Sequence, residues 1–203
     1  MPKIQVCSGD LPATARFDRS LAIDTETMGL NLHRDRLCLV QIYDGHETVY
    51  LVQIKRGVPC PNLIQVLTNP DILKIFHFAR FDVAKIKNDL GITVAPVYCT
   101  KIASKLCRTS AASHSLKALC QDLLNITLCK EQQTSDWGAD TLTPAQQTYA
   151  ANDVLYLQAL KEKLDTLLAR EGRADLAARC FAFLSTRAEL DLLDFDDPDI
   201  FCH

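Results

Sequence analysis

The sequence predicts an α/β sandwich built around a mixed sheet, in one domain. Three observations carry this expectation. The early chain reads as short strands broken by turns, the middle alternates strand with helix, and everything after about Thr100 has helical periodicity. No internal repeat or Ser/Gly linker interrupts the chain. Its 203 residues, 48% hydrophobic and 23% charged, are enough to build one sizeable core.

In order, Lys3 to Cys7 alternates weakly and predicts an edge strand, broken by Asp10-Leu11-Pro12. Phe17 to Ser20 leads into a short apolar run, Leu21-Ala22-Ile23, that ends in Asp24-Thr25-Glu26. Leu37 to Tyr43 is a nearly continuous apolar strand. Asp44-Gly45 is a hairpin turn signal and Glu47 to Val52 its return strand, so the sheet begins antiparallel. Pro61 starts a helix with Leu63, Ile64 and Leu67 as its buried stripe, stopped by Asn69-Pro70. Ile72 to His77 predicts a strand, Phe81 to Leu90 a helix closed by Gly91, and Val94 to Tyr98 the last strand. Thr100 and Ser115 each cap a helix, the second with Leu116, Leu119, Cys120 and Leu123 on one face. Thr143-Pro144-Ala145-Gln146 combines an N-cap, a first-position proline and a capping box, opening a helix expected to run to about Arg170 before Gly172. A final helix is expected from Ala174 to Leu190. Residues 1–190 then form the domain, and 191–203 an acidic, apolar tail docked on this subunit or a neighbour.

Bulk properties exclude several classes. No apolar run approaches the roughly 20 residues of a membrane helix, and MPKIQVCSGD lacks a signal peptide's apolar core. Nine cysteines are an odd, scattered set without a CxxC pair. Zinc ligation is disfavoured, and the expectation is reduced core thiols in the cytoplasm. A net charge of −3 argues against gripping long nucleic acid by bulk electrostatics. Acids taken up by metal would bring the remainder close to neutrality, so charge does not exclude nucleic acid. Neither glycine-rich loop of the kinases or dehydrogenases is present.

Chemistry concentrates in three places. Side chains two apart in a strand share a face, so Asp24 and Glu26 project together from a strand end. Adjacent carboxylates repel and need a cation or shared proton, and Mg²⁺ and Mn²⁺ prefer such oxygens. A strand end facing water is the plain alternative. Asp82 stands where the chain enters a helix, in HFARFD. Tyr149 and Asp153, four apart, share a helix face on or beside the apolar stripe of Tyr156, Leu157, Leu160 and Leu164. Taken singly, they read equally as a core aromatic and a salt-bridged acid.

Together, Ile23 to Thr27, His77 to Asp82 and Tyr149 to Asp153 resemble, in order, the three motifs of the DEDD superfamily of 3′–5′ exonucleases, in the tyrosine-bearing branch typified by ribonuclease D. Ser115 to Trp137 is similar to the segment before the third motif. On its length the chain is expected to lack the further helical domains of ribonuclease D. DTETMGLNLHRDRLCLVQI and the ending Pro198-Asp199-Ile200-Phe201 resemble the short nano-RNase C group. The resemblance implies a ribonuclease H-like fold and two divalent ions, Mg²⁺ or Mn²⁺. It also implies short RNA as substrate, dinucleotides especially, and a homo-oligomer closed into a ring. On that basis Asp24 would bridge both ions, Glu26 and Asp153 would complete the coordination of the first ion, Asp82 would serve the second ion, and Tyr149 would orient the attacking water.

Substrate contacts are expected from Met28, Gly29 and Leu30, from His77 and from Gln41. Met28 and Leu30 either wedge against terminal bases or pack in the core, and His77 reads first as a hydrogen-bonded neighbour of the ligands. Arg34, Arg36, Lys101, Lys105, Arg108, His114 and Lys117 are phosphate candidates or ordinary surface charges. Trp137 either stacks on a base or is buried beside a helix start. Two rivals stay open: a 3′–5′ exonuclease acting on DNA, and an inactive module that binds RNA or protein.

Overall fold

The computed structural model describes residues 2–128, 135–195 and 197–202. Cys129, the rest of 129–134 within the segment before the third motif, and Asp196 and His203 of the tail lie outside the described residues. The sheet is organised by its two middle strands, β2 (Ser20–Thr27) and β3 (Leu37–Tyr43), the latter buried at all seven positions. Burying an aliphatic side chain contributes about 1.5–3 kcal/mol, and β3 carries four: Leu37, Leu39, Val40 and Ile42. The remaining strands are β1 (Lys3–Ser8), β4 (Thr48–Gln53), β5 (Leu73–Phe76) and β6 (Val97–Cys99).

Strand order is β1-β4-β3-β2-β5-β6. β2, β3 and β4 form the expected antiparallel meander, while β1, β5 and β6 add in parallel. β1 is at the edge as its weak alternation predicts. β5 pairs with β2 only from Ser20 to Ala22, and a register irregularity falls at Glu26/Thr27 on the β3 side. The carboxyl-terminal half of β2 therefore runs free of β5, at the point where strand order turns outward in both directions, the usual place for a site in an open α/β sheet.

Seven helices cover the sheet among the described residues: α1 (Pro61–Thr68), α2 (Ala79–Leu90), α3 (Thr100–Cys107), α4 (Leu116–Leu124), α5 (Pro144–Leu155), α6 (Leu157–Arg170) and α7 (Ala174–Leu192). Alternation along each strand splits the core in two. Ala22, Leu39 and Leu51 face α4, α5 and α6, whereas Leu21, Ile23, Val40 and Val52 face α1, α2 and α7. No helix is long and apolar enough to cross a membrane among the described residues.

Four expectations are corrected. The helix from Pro144 does not run unbroken to Arg170: Tyr156, at φ −111 and ψ 0, ends α5 and starts α6. Thr100 is the first helical residue of α3 and caps nothing. Its hydroxyl turns back to the Phe76 carbonyl at 3.2 Å. β6 begins at Val97, after Pro96, which has no N–H for a ladder. α7 ends two residues late, at Leu192, because Asp191 is held inside by Arg80 and Arg187. The Ser115 cap and the Thr143/Gln146 capping box form as the sequence predicts. The eight described cysteines are all free thiols.

Candidate active site

Asp24 and Glu26 leave the free half of β2 on one face, and α5 packs across that face. Carboxylate oxygens of Asp24, Glu26 and Asp153 come within 4.8 Å of one another. Asp153 belongs to α5, so the cluster joins an early strand to a late helix. Asp82 arrives from the other side, in the first turn of α2, where the positive helix end favours an acid. It is buried, and its Oδ1 accepts a 2.6 Å hydrogen bond from Thr25 Oγ1.

The electrostatics are those of acids crowded together in a low-dielectric site, each raising the others. Burial, then Asp82, Asp153 and Glu26, push Asp24 well above the usual carboxylate range. Burial, then Asp153 and Asp82, push Glu26 up to about 9. Burial raises Asp82 to about 7 against the Thr25 hydrogen bond. Such groups are held ready for a cation. An all-oxygen donor set fits a divalent ion of the magnesium type and offers nothing to a soft metal. Tyr149, one turn before Asp153, has its phenol raised by burial and then by Asp153, Glu26 and Asp24, so it stays a neutral hydroxyl. Its ring lies 6.0 Å from that of Trp137.

These groups line a cleft of about 780 Å³, within the usual size for a small-ligand site. Met28, Gly29 and Leu30 form one wall, and the first and last are open to solvent at 53% and 85% exposure. Gly29 is glycine because Asp35 closes over it: a Cβ there would lie 2.3 Å from Asp35 Oδ2. Asp35 Oδ2 accepts from the Asn31 amide at 3.0 Å, and buried Lys85 donates to the Leu32 carbonyl at 2.8 Å, fixing the loop that carries the wall. His77 lines the cleft with Nδ1 2.9 Å from Thr100 Oγ1. Trp137 is buried beside the start of α5 and reaches the cleft at its edge.

Gln41 is the exception. It pairs with Asp24 across β2 and β3, yet it is completely buried and does not line the cleft. Contact with substrate is closed to it because α5 packs onto that face of β3. Of the basic candidates, Lys101 and Lys117 line the cleft. Arg34 is spent on Asp35 at 2.7 Å and Arg36 on the carbonyls of Leu37, Ile54 and Gly138.

Sequence reasoning missed Phe78 and Phe81, which line the cleft beside Asp82. Phe78 sits in the left-handed region, φ 72, ahead of α2, half-exposed beneath the Lys101 ammonium at 3.9 Å. The aromatic pair flanking Ala79-Arg80 was the available signal.

An open α/β sheet with a carboxylate cluster and a half-buried tyrosine at its switch point defines a metal-dependent phosphodiester hydrolase. The chain belongs to the 3′–5′ exonuclease family, whose profile matches residues 10–169. It is 32% identical over 173 residues to ribonuclease D of Gluconacetobacter diazotrophicus, covering 85% of this chain and 44% of that protein. It is 36% identical over 188 residues to DNA polymerase I of Aquifex aeolicus, covering 90% of this chain and 31% of that protein. The chain thus spans less than half the length of these relatives. Along its whole length it is similar to Brucella melitensis NrnC, solved bound to pGG, at 48% identity, TM-score 0.95 and full coverage of both chains. The same protein has also been solved with Mg²⁺, at TM-score 0.93. The chain is therefore ribonuclease D-like and NrnC-like.

Proposed function

We propose that this protein is a 3′–5′ exoribonuclease that removes nucleoside 5′-monophosphates from short RNA, dinucleotides above all. The observation that carries this reading is the convergence of Asp24, Glu26 and Asp153 in a cleft that also exposes Met28, Leu30 and Phe78. Similarity to a protein solved with pGG supports the short substrate.

Asp24, Glu26 and Asp153 would hold one divalent ion, with Asp24 shared and Asp82 serving a second. Bound Mg²⁺ or Mn²⁺ neutralises charge on the phosphoryl and leaving oxygens and lowers the pKa of water. The remaining work belongs to the chain. The neutral Tyr149 hydroxyl positions the attacking water rather than taking its proton. Met28 and Leu30 press against the terminal bases, and Phe78 offers a face for stacking. His77, steadied by Thr100, and Gly29 complete the wall. The C-terminal region exposes Leu193, Phe195, Ile200 and Phe201, which supports association with further copies, a ring by resemblance to the nano-RNase C group.

The test is digestion of 5′-labelled RNA of about two to twenty nucleotides and of matched DNA, in Mg²⁺, in Mn²⁺ and in excess EDTA. Turnover should rise as RNA shortens, because a chain of net charge −3 offers no long cationic track. Leu30→Ala should raise KM for a dinucleotide more than for a seven-mer. Hydrolysis in EDTA would sink the metal mechanism. The match to a DNA polymerase favours DNA as the second reading. A tenfold preference for duplex DNA or for the longer RNA would promote it.

A further inference from the structure

We propose that Gly138 sets the seat of Met28, and through it the grip of the cleft on a terminal base, so that this glycine determines specificity without touching substrate. The proposal rests on the exonuclease reading of the cleft. Gly138 lies in the turn between the cleft edge and α5, and its backbone is outside the left-handed region. Any L-residue can adopt its conformation, so flexibility does not explain the glycine. Space does. A Cβ there would lie 2.6 Å from Met28 Sδ, 3.2 Å from Arg36 Nη2 and 3.3 Å from Asp136 Oδ1.

Something would have to move, and the turn is held from several sides. The Gly138 amide donates to Asp136 Oδ1 at 3.0 Å. Arg36 donates to the Gly138 carbonyl at 3.3 Å and to the Ile54 carbonyl at 3.2 Å. Gln146, which closes the α5 capping box, donates to the Asp136 carbonyl at 3.0 Å. The Met28 amide is itself tied to the Arg36 carbonyl at 3.1 Å. What can give way is the Met28 thioether, the far end of an unbranched side chain with three rotatable bonds. Met28 is half-exposed and lines the cleft wall with Leu30. An added methyl at 138 therefore unseats the wall and leaves the carboxylates where they are.

The test is a cycle of Gly138→Ala, Met28→Ala and the pair, made in the full chain. Gly138→Ala should melt near wild type and keep its metal dependence and kcat. Its KM for a diribonucleotide should rise on the order of tenfold, the scale of one misfitted group in an apolar pocket. The pair should have the KM of Met28→Ala alone, because without the thioether the one contact under 3.0 Å is gone, and Arg36 Nη2 at 3.2 Å and Asp136 Oδ1 at 3.3 Å need give only slightly. Such non-additivity is what a merely structural role would not give. A wild-type KM in Gly138→Ala, or additive effects in the pair, overturns the proposal. If Gly138→Ala does not fold, the pair must fold and match Met28→Ala, and its failure to do so overturns the proposal as well. A wild-type protein inert on all RNA and DNA with either metal overturns the exonuclease reading and this inference together. An active wild type with an additive cycle overturns only this one.

Discussion

Thr25 Oγ1 donates a 2.6 Å hydrogen bond to Asp82 Oδ1. The residue between the two strand acids thus holds the acid that α2 contributes. Its side chain points to the opposite sheet face from Asp24 and Glu26, so β2 serves the cluster from both sides. The bond favours the charged carboxylate, and it opposes the burial that raises Asp82 to about 7. Thr25→Val removes the donor. Asp82 should then take up a proton more readily, and the Mg²⁺ concentration for half-maximal activity should rise roughly 10- to 100-fold. Moving from pH 7 to 8.5 should recover part of the loss. Unchanged metal dependence would mean the hydroxyl is incidental.

Tyr149 and the proposed metal ligands should separate by mutation. Tyr149→Phe deletes the hydroxyl and no carboxylate, so calorimetric metal binding should persist while kcat falls about 10²–10⁴-fold. Asp24→Asn should lose metal and activity together. A fully active Tyr149→Phe would reduce this residue to packing.

The raised carboxyls also fix how stability depends on pH. Asp82 near 7 and Glu26 near 9 hold protons in the folded chain that the unfolded chain releases near 4. Between these limits the folded state binds more protons, so metal-free stability falls as pH rises from about 4.5 towards 9. Divalent metal removes the penalty by pairing the charges. Melting of metal-free protein should therefore occur several degrees lower at pH 8.5 than at pH 5.5, and Mg²⁺ should raise it most at the higher pH. A flat profile without metal would contradict the repulsion.

Asp191 is the fastening point of α7. Arg80 Nε reaches its Oδ2 at 2.6 Å, Arg80 Nη2 its Oδ1 at 2.7 Å, and Arg187 shares Oδ1 at 2.9 Å. Arg187 also binds Asp199 at 2.7 Å in the tail. Neutralising this buried acid leaves two guanidinium groups poorly paired. Asp191→Asn should cost about 3 kcal/mol in urea unfolding. A loss below about 1 kcal/mol would show the network to be exposed in effect.

Local rules made part of this molecule legible. Period-two alternation put Asp24 and Glu26 on one face, a strand-to-helix entry placed Asp82, and a capping box opened the helix that brings Tyr149 and Asp153 to them. Rules of tertiary origin were not. The apolar stripe runs straight through Tyr156, so nothing local announces the break there. Gln41 shares a face with Asp24, but only the packing of α5 decides that this part of the face is closed. Phe78 enters the cleft through a left-handed backbone that phenylalanine rarely adopts, which no propensity would propose.

The thiols described above have a consequence for how the chain meets oxidants. Six of the eight described cysteines are shut in the core, and burial raises Cys99 and lifts Cys120 to about 11. Thiolate, the reactive form, is scarce there. Among the described cysteines, Cys180 on α7 and exposed Cys202 in the tail are the ones a reagent meets first. Among these eight, alkylation of the intact protein should accordingly mark the two in the C-terminal region, and any labelling of the six interior sulfurs would time the opening of the fold.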